Sequence, residues 1–315
     1  MRREVCLGIL IATGALSITA ASYQAPAQQQ PQGVKVPDIQ KLKDNLYLIG
    51  GGGFPADRDS FTGSNTIVFV TEKGVVLVDT KNPGWGPMIL DKVKSVTNKP
   101  VTTIINTHTH RDHTGSNVAF PETVEIVAHE NTKANLMKDR CAPVTNCDGF
   151  KGENAKFLPK RTFKDKMSLF SGKDRIDLYY FGRGHTNGDT FVVFPAVRTM
   201  ATGDLFQYKW VPNIDAGNGG SGVEWSKTLG KALATIKNVD TYIPGHAPPV
   251  TLSDLQEHVQ FHKDFVAMIN EGMKAGKGAD DIASTFKMPD KYKSYASTPQ
   301  SVKNYVQAVY DELKK

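Results

Sequence analysis

Three histidines and one carboxylate fall within six residues, His108-Thr-His110-Arg-Asp112-His113, in a chain of 315 residues that holds only 8 His. Imidazole is the commonest nitrogen ligand of zinc and a carboxylate is a good oxygen ligand, so the grouping points to metal binding. His108 and His110 are two apart, and in extended backbone they share a direction. His113, past a turn, can face a second metal together with Asp112. A polar surface loop has no structural use for so many uncompensated imidazoles. Three other segments have the same character: Gly184-His185-Thr-Asn-Gly-Asp189, Gly203-Asp204 and Pro244-Gly245-His246. Each presents a potential ligand where an apolar strand ends in glycine.

Those strands can be read from short β-branched runs. Thr66–Val70 and Val75–Val78 are separated by Thr-Glu-Lys-Gly, a hairpin signal. Residues 102–106 form an apolar strand that feeds directly into the histidine cluster. Further strands are expected at 45–50, 124–127, 175–181, 190–194, 199–202 and 241–243. Apolar residues at helical spacing predict helices over 84–96, 131–137 and 225–236. Two more are expected in the tail, one through Leu255, Val259, Phe265 and Ile269, the other opening at Pro299. Strands and helices interspersed in two halves suggest two sheets covered outside by helices, an α/β architecture. Residues 138–160 read as irregular.

In this order of parts the sequence resembles the metallo-β-lactamase superfamily, whose signature is His-x-His-x-Asp-His, then a lone His, an Asp and a C-terminal Gly-His. The resemblance spans about residues 45–250 and implies an αββα sandwich of two mixed β-sheets with outer helices, the metals lying at one edge. Carried over residue by residue, it implies one metal on His108, His110 and His185 and another on Asp112, His113 and His246, with Asp204 bridging. Asp79, in Val-Leu-Val-Asp-Thr, matches the family's aspartate that supports the ligands from behind. Seven ligands exceed one tetrahedral zinc, so two Zn²⁺ are expected, iron or manganese also fitting such donors. A water between two divalent cations loses a proton near neutrality, and the resulting hydroxide can attack a carbonyl, with Asp112 as the catalytic residue that orients it. The resemblance implies a hydrolase of esters, lactones, thioesters or β-lactams. Asp204 narrows it, since β-lactamases of the family usually have Cys or Ser there and lactonases have Asp. A β-lactamase proper, or a mononuclear-iron enzyme of the sulfur dioxygenase type, are the alternatives. The glycine-rich segment 50–63, with Phe54 and Phe61, matches the family's substrate flap or is an ordinary hairpin loop. Asn218, in Gly-Asn-Gly-Gly, lies where the family places a substrate-facing loop or a plain turn, and Lys209 is a candidate carboxylate anchor.

Arg2 and Arg3 precede a 13-residue apolar run and then Thr19-Ala20-Ala21, the pattern of a secretory signal peptide over residues 1–21. The run falls short of the roughly 20 residues of a membrane span. Residues 22–36 are Pro/Gln-rich and read as a disordered linker, followed by a catalytic domain over 37–250 and a helical extension over 251–315 packed on it. A periplasmic or secreted location would pair the remaining cysteines, Cys141 and Cys147, as a disulfide. The net charge of +6 is mild and calls for no nucleic-acid partner, and the basic run 156–175 reads as a solvated face. A small-molecule substrate is expected, with no membrane contact beyond the export signal. Composition sets no oligomeric state. His258 and His262, four apart on a helix without a third ligand nearby, read as an exposed or partly packed face, and His129 as structural.

Overall fold

The computed structural model describes residues 37–52, 60–207 and 209–315, so the expected signal peptide, linker and Phe54 lie outside the described residues. One sheet has seven strands in sequential order: β1 (Ile39–Lys43), β2 (Leu46–Ile49), β3 (Thr66–Val70), β4 (Val75–Val78), β5 (Val101–Ile105), β6 (Glu125–His129) and β7 (Arg161–Phe163). Pairing is antiparallel from β1 to β4 and parallel from β4 to β7. The second sheet, ordered 12-11-10-9-8, comprises β8 (Lys166–Leu169), β9 (Ile176–Tyr179), β10 (Phe191–Phe194), β11 (Thr199–Gly203) and β12 (Thr241–Pro244), with only β11 and β12 parallel.

The period-two side-chain alternation of a strand explains how the sheets stack. On β3 and β4, Ile67, Phe69, Val76 and Val78 point into the inter-sheet core, where they meet Leu178, Val192 and Phe194. The rings of Phe69 and Phe194 lie 4.8 Å apart. Val68, Val75 and Leu77 face outward, under helix α1 (Gly86–Lys94), which contributes Met88, Ile89 and Val93. Both faces of these strands are covered, which is why they read as continuous apolar runs. A single helical turn, α2 (Arg111–Thr114), follows β5, and α3 (Glu130–Leu136) follows β6. The outer face of the second sheet is covered by α4 (Gly222–Thr235) and α5 (Leu252–Lys274) through Trp225, Leu229, Leu255 and Val259. The result is an αββα sandwich. Two last helices, α6 (Ala279–Ser284) and α7 (Pro299–Leu313), pack on α5 and α4.

The basic residues of 156–175 are exposed, as expected of a solvated face, but the stretch also holds two strands that its charges conceal. β7 and β8 are each an edge strand, one per sheet, carrying exposed Arg161 and Lys166 but burying Phe163 and Leu169. Charged residues on edge strands oppose further pairing, and they mask the apolar alternation that marks strands elsewhere.

His258 and His262 are fully buried, not exposed. Their Nε2 atoms are 3.2 Å apart, His262 Nδ1 lies 2.7 Å from the Tyr305 hydroxyl, and the His262 ring stacks on Trp225 at 4.4 Å. They join α5 to α4 and α7. Burial pushes the pKa of His258 down to about 3 and that of His262 well below its usual value. In the unfolded chain both titrate near 6.5, so the stability that comes from keeping them neutral is complete above that pH and is lost as pH falls toward 3. The cost approaches about 1.4 kcal/mol per pH unit per histidine. Thermal melts should therefore show Tm falling between pH 7 and pH 5, and falling less steeply in His258→Gln; equal slopes would refute the role of the pair.

Candidate metal centre

The chemistry-bearing residues collect at one edge of the sandwich, where β4, β5, β9, β11 and β12 end. β5 delivers His108 and His110 directly, and His110 then starts α2, which turns Asp112 and His113 back toward the cleft. His185 follows β9, Asp204 follows β11 through Gly203, and His246 follows β12 through Gly245. Gly203 adopts φ +50°, and a Cβ at Gly245 would collide with Oδ1 of Asp204. The glycines are thus where the backbone makes room for the carboxylate.

Two groups of donor atoms result. His108, His110, His185 and Asp204 form one, and Asp112, His113 and His246 the other, each with its ligand atoms within 4.8 Å of one another. Asp204 touches both: Oδ1 lies 3.2 Å from His113 Nε2, while Oδ2 is 3.2 Å from His246 Nε2 and 3.5 Å from His185 Nε2. Asp112 Oδ2 is 3.3 Å from His246 Nε2.

The other edge of each imidazole decides which nitrogen faces the centre. His113 Nδ1 lies 2.7 Å from Asp79 Oδ2, leaving Nε2 inward. Asp79 sits at φ 60° just past β4, and its carboxylate also accepts from the Thr107 backbone N–H and hydroxyl, at 2.8 and 2.7 Å. His185 Nδ1 donates to the Asn213 carbonyl at 2.7 Å. His110 is reversed: Nε2 is bound to Asp215 Oδ2 at 2.8 Å, and Nδ1 faces inward, 3.0 Å from His185 Nε2.

Burial, reinforced by the neighbouring imidazoles, holds His108 well below its usual pKa and lowers His185, so both are neutral ligands. Burial would also lower His113, but the carboxylates of Asp204, Asp79 and Asp112 outweigh it and hold it well above. Burial would raise Asp204, yet His246 and His113 keep it ionised, well below the carboxylate range. His108 Nε2 has no hydrogen-bond partner among the described residues, and neither His113 Nε2 nor Asp204 Oδ1 has an aligned one. Buried donors and acceptors left this way are costly unless a cation satisfies them. The all-nitrogen-and-oxygen set therefore fits first-row divalent ions such as zinc.

Over the span 59–246, three-fifths of the chain, the sequence matches the profile of the metallo-beta-lactamase superfamily. The chain belongs to this superfamily. It is a metallo-β-lactamase-superfamily hydrolase with a His/Asp metal-binding cluster. It is similar to the metallo-beta-lactamase type 2 of Bacillus cereus, 27% identical over 261 residues that cover 78% of this chain and 91% of that protein. The corresponding protein of Elizabethkingia meningoseptica is 26% identical over 260 residues, covering 78% and 89%. Among solved structures, a metallo-beta-lactamase from Pontibacter korlensis superposes with a TM-score of 0.59 at 20% identity, over 73% of this chain and 99% of that one. That likeness concerns the superfamily fold.

The remaining sequence candidates are placed differently. Phe61 lines the cleft, its ring 5.5 Å from that of His246. Lys209 does not face it, because its ammonium is paired with Asp254 at 2.9 Å and Glu257 at 3.4 Å. Asn218 is fully buried behind the centre, its Nδ2 donating to Thr145 Oγ1 and to Asp215 Oδ2 at 2.5 and 2.6 Å. It supports the carboxylate that supports His110. A disulfide joins Cys141 to Cys147, and the loop it closes runs beside His110 through the His110–Thr145 bridge.

Sequence reasoning missed Asp215, Gln207 and Lys81. Gln207 Nε2 donates to Asp204 Oδ2 at 2.5 Å and its Oε1 accepts from Trp210 Nε1 at 3.0 Å. Lys81 is fully buried, and its Nζ donates to the carbonyls of Gly50 at 2.7 Å and Ser64 at 2.6 Å, tying the two ends of segment 50–64. Burial pushes its pKa down to about 7. Asp215 was discoverable only as the first residue of a turn closed by Asn218, whose N–H it accepts at 3.1 Å. Asp215→Asn keeps the shape but not the charge behind His110, and should weaken metal retention by about 10- to 100-fold. Competition with a chromophoric chelator measures this, and wild-type retention would contradict the role.

Proposed function

We propose that this protein is an exported binuclear zinc hydrolase acting on the carbonyl of an ester, lactone, thioester or β-lactam. The observation that carries the reading is Asp204, whose carboxylate reaches both donor groups within one cleft, Oδ2 lying 3.5 Å from His185 of one group and 3.2 Å from His246 of the other, and Oδ1 3.2 Å from His113. Two adjoining groups of donors, seven ligands in all, favour two ions over one. When bound, such ions supply Lewis acidity and bring a water's pKa toward neutrality. The residues of the chain do the positioning. His108, His110 and His185 would hold one ion, and Asp112, His113 and His246 the other. Asp112 is the ligand with most contact with the open cleft, its side chain 23% exposed, and it is placed to orient the attacking water and hold its proton. Phe61 and Trp210 stand on the same cleft as Asp112 and restrict water around it.

Export is supported by residues 1–21, with their basic start, apolar run and small-residue site. The relatives' names favour cleavage of a β-lactam as a second reading, since the similarity runs over 78% of the chain. The test is turnover by the zinc-loaded protein of one β-lactam, one acyl lactone and one thioester. Cleavage of at least one is expected, lost by more than about 100-fold in Asp204→Ala. Full activity of that variant, or silence of the wild type on all three, would overturn the reading.

A further inference from the structure

The cleft over the metal centre has a volume of about 550 Å³, the size of a site that encloses a drug-sized molecule. Its floor and inner walls come from the superfamily-matched span, but one wall does not. Ala296, Gln300 and Asn304, from the start of α7 and the turn before it, line the same cleft as Asp112 and His246, and they lie well beyond residue 246. This wall is built in. Trp210 and Ala296 form a parallel bridge, with Ala296 N–H donating to the Lys209 carbonyl at 2.9 Å and Val211 N–H to the Ala296 carbonyl at 3.0 Å. Behind it, Tyr305, Val306 and Val309 of α7 are fully buried. Lys209, on the same strip, is held to α5 by Asp254 and Glu257.

The chemistry of the wall is specific. Trp210, Val211 and Ala296 give an apolar strip. Thr298 and Ser301 spend their side chains on capping α7. Gln300 donates to Asn304 Oδ1 at 2.7 Å, which leaves the Gln300 Oε1 acceptor, the second Gln300 N–H and the Asn304 NH2 to meet a ligand. Among the described residues lining the cleft, the only ionisable side chains are metal ligands. Trp210 also reaches the centre itself, through Gln207 to Asp204.

We propose that the segment Ala296–Asn304 is the specificity-determining wall of this enzyme, and that it selects uncharged carbonyl compounds with an apolar arm. The arm lies along Trp210, Val211 and Ala296, and any neutral hydrogen-bonding group on it meets the Gln300–Asn304 amides. Turnover of what binds here rests on the hydrolase reading; binding along the wall does not. Gln300→Trp places a bulky ring at the wall without touching the buried face of α7, and Gln307→Trp on the exposed side of the same helix is its control. Two readouts separate the claims. One is the ratio of kcat/KM for 4-nitrophenyl 3-phenylpropionate over 4-nitrophenyl acetate, which share a leaving group. The other is calorimetric binding of 4-phenylbutan-2-one, a carbonyl compound that cannot be hydrolysed. With folding verified by circular dichroism, Gln300→Trp should lower the ratio and the ketone affinity each by about tenfold, while Gln307→Trp moves neither. Turnover of both esters with ratio and affinity unchanged in Gln300→Trp would overturn the wall and leave the hydrolase reading standing. Ketone binding that Gln300→Trp weakens, with no ester turned over, would uphold the wall and remove the hydrolase reading.

Discussion

A carboxylate buried among imidazoles must be paired, and an imidazole buried beside others must stay neutral or find a carboxylate. Asp204 is 3% exposed and lies within 3.5 Å of His113, His185 and His246, each supplied by a different segment of the chain. This is the constraint the rest of the structure serves. Five strands must end in register at one edge of the sandwich, and Gly203 and Gly245 must leave space around Asp204. Each histidine also needs a partner on its outer side, so Asp79, Asn213 and Asp215 are as necessary to the arrangement as the ligands. Metal ions bound at the inward nitrogens and oxygens would resolve the remaining imbalance, because they take the place of protons there.

The support reaches outward in two directions. On one side, Asn218 braces Asp215 and is itself bonded to Thr145, which lies in the loop closed by Cys141 and Cys147. On the other, Gln207 links Asp204 to Trp210, and Trp210 is bridged to Ala296 ahead of the last helix. The C-terminal helices are thus continuous with the centre and not merely a cover for the second sheet. Their own attachment runs through Trp225, His258, His262 and Tyr305, a buried polar cluster whose burial favours neutral histidines.

The candidate ligands were legible in the sequence because they sit on local signals, either in one six-residue cluster or directly after a glycine that ends or follows a strand. The strands that carry them were legible because two-sided burial makes them unbroken β-branched runs. What was hidden depends on contacts between distant segments. Asp215 and Gln207 have no pattern of their own, and Ala296 becomes a cleft wall only through its pairing with Trp210. The strands at 161–163 and 166–169 were hidden by edge charges. His258 and His262 were misread for a different reason: their spacing with Leu255, Val259 and Phe265 marked them as lying on the apolar face of α5, but their residue type argued for water. Spacing was the better guide, because the Tyr305 hydroxyl supplies the partner that burial demands.

On the proposed reading, Asp204 stands between two ions and not beside one. Metal content of the full-length protein, by plasma mass spectrometry after equilibration with zinc and gel filtration, tests it most directly. Two ions per chain are expected in the wild type and a lower content in Asp204→Ala. One ion per chain in the wild type, or two retained equally well without the Asp204 carboxylate, would contradict it.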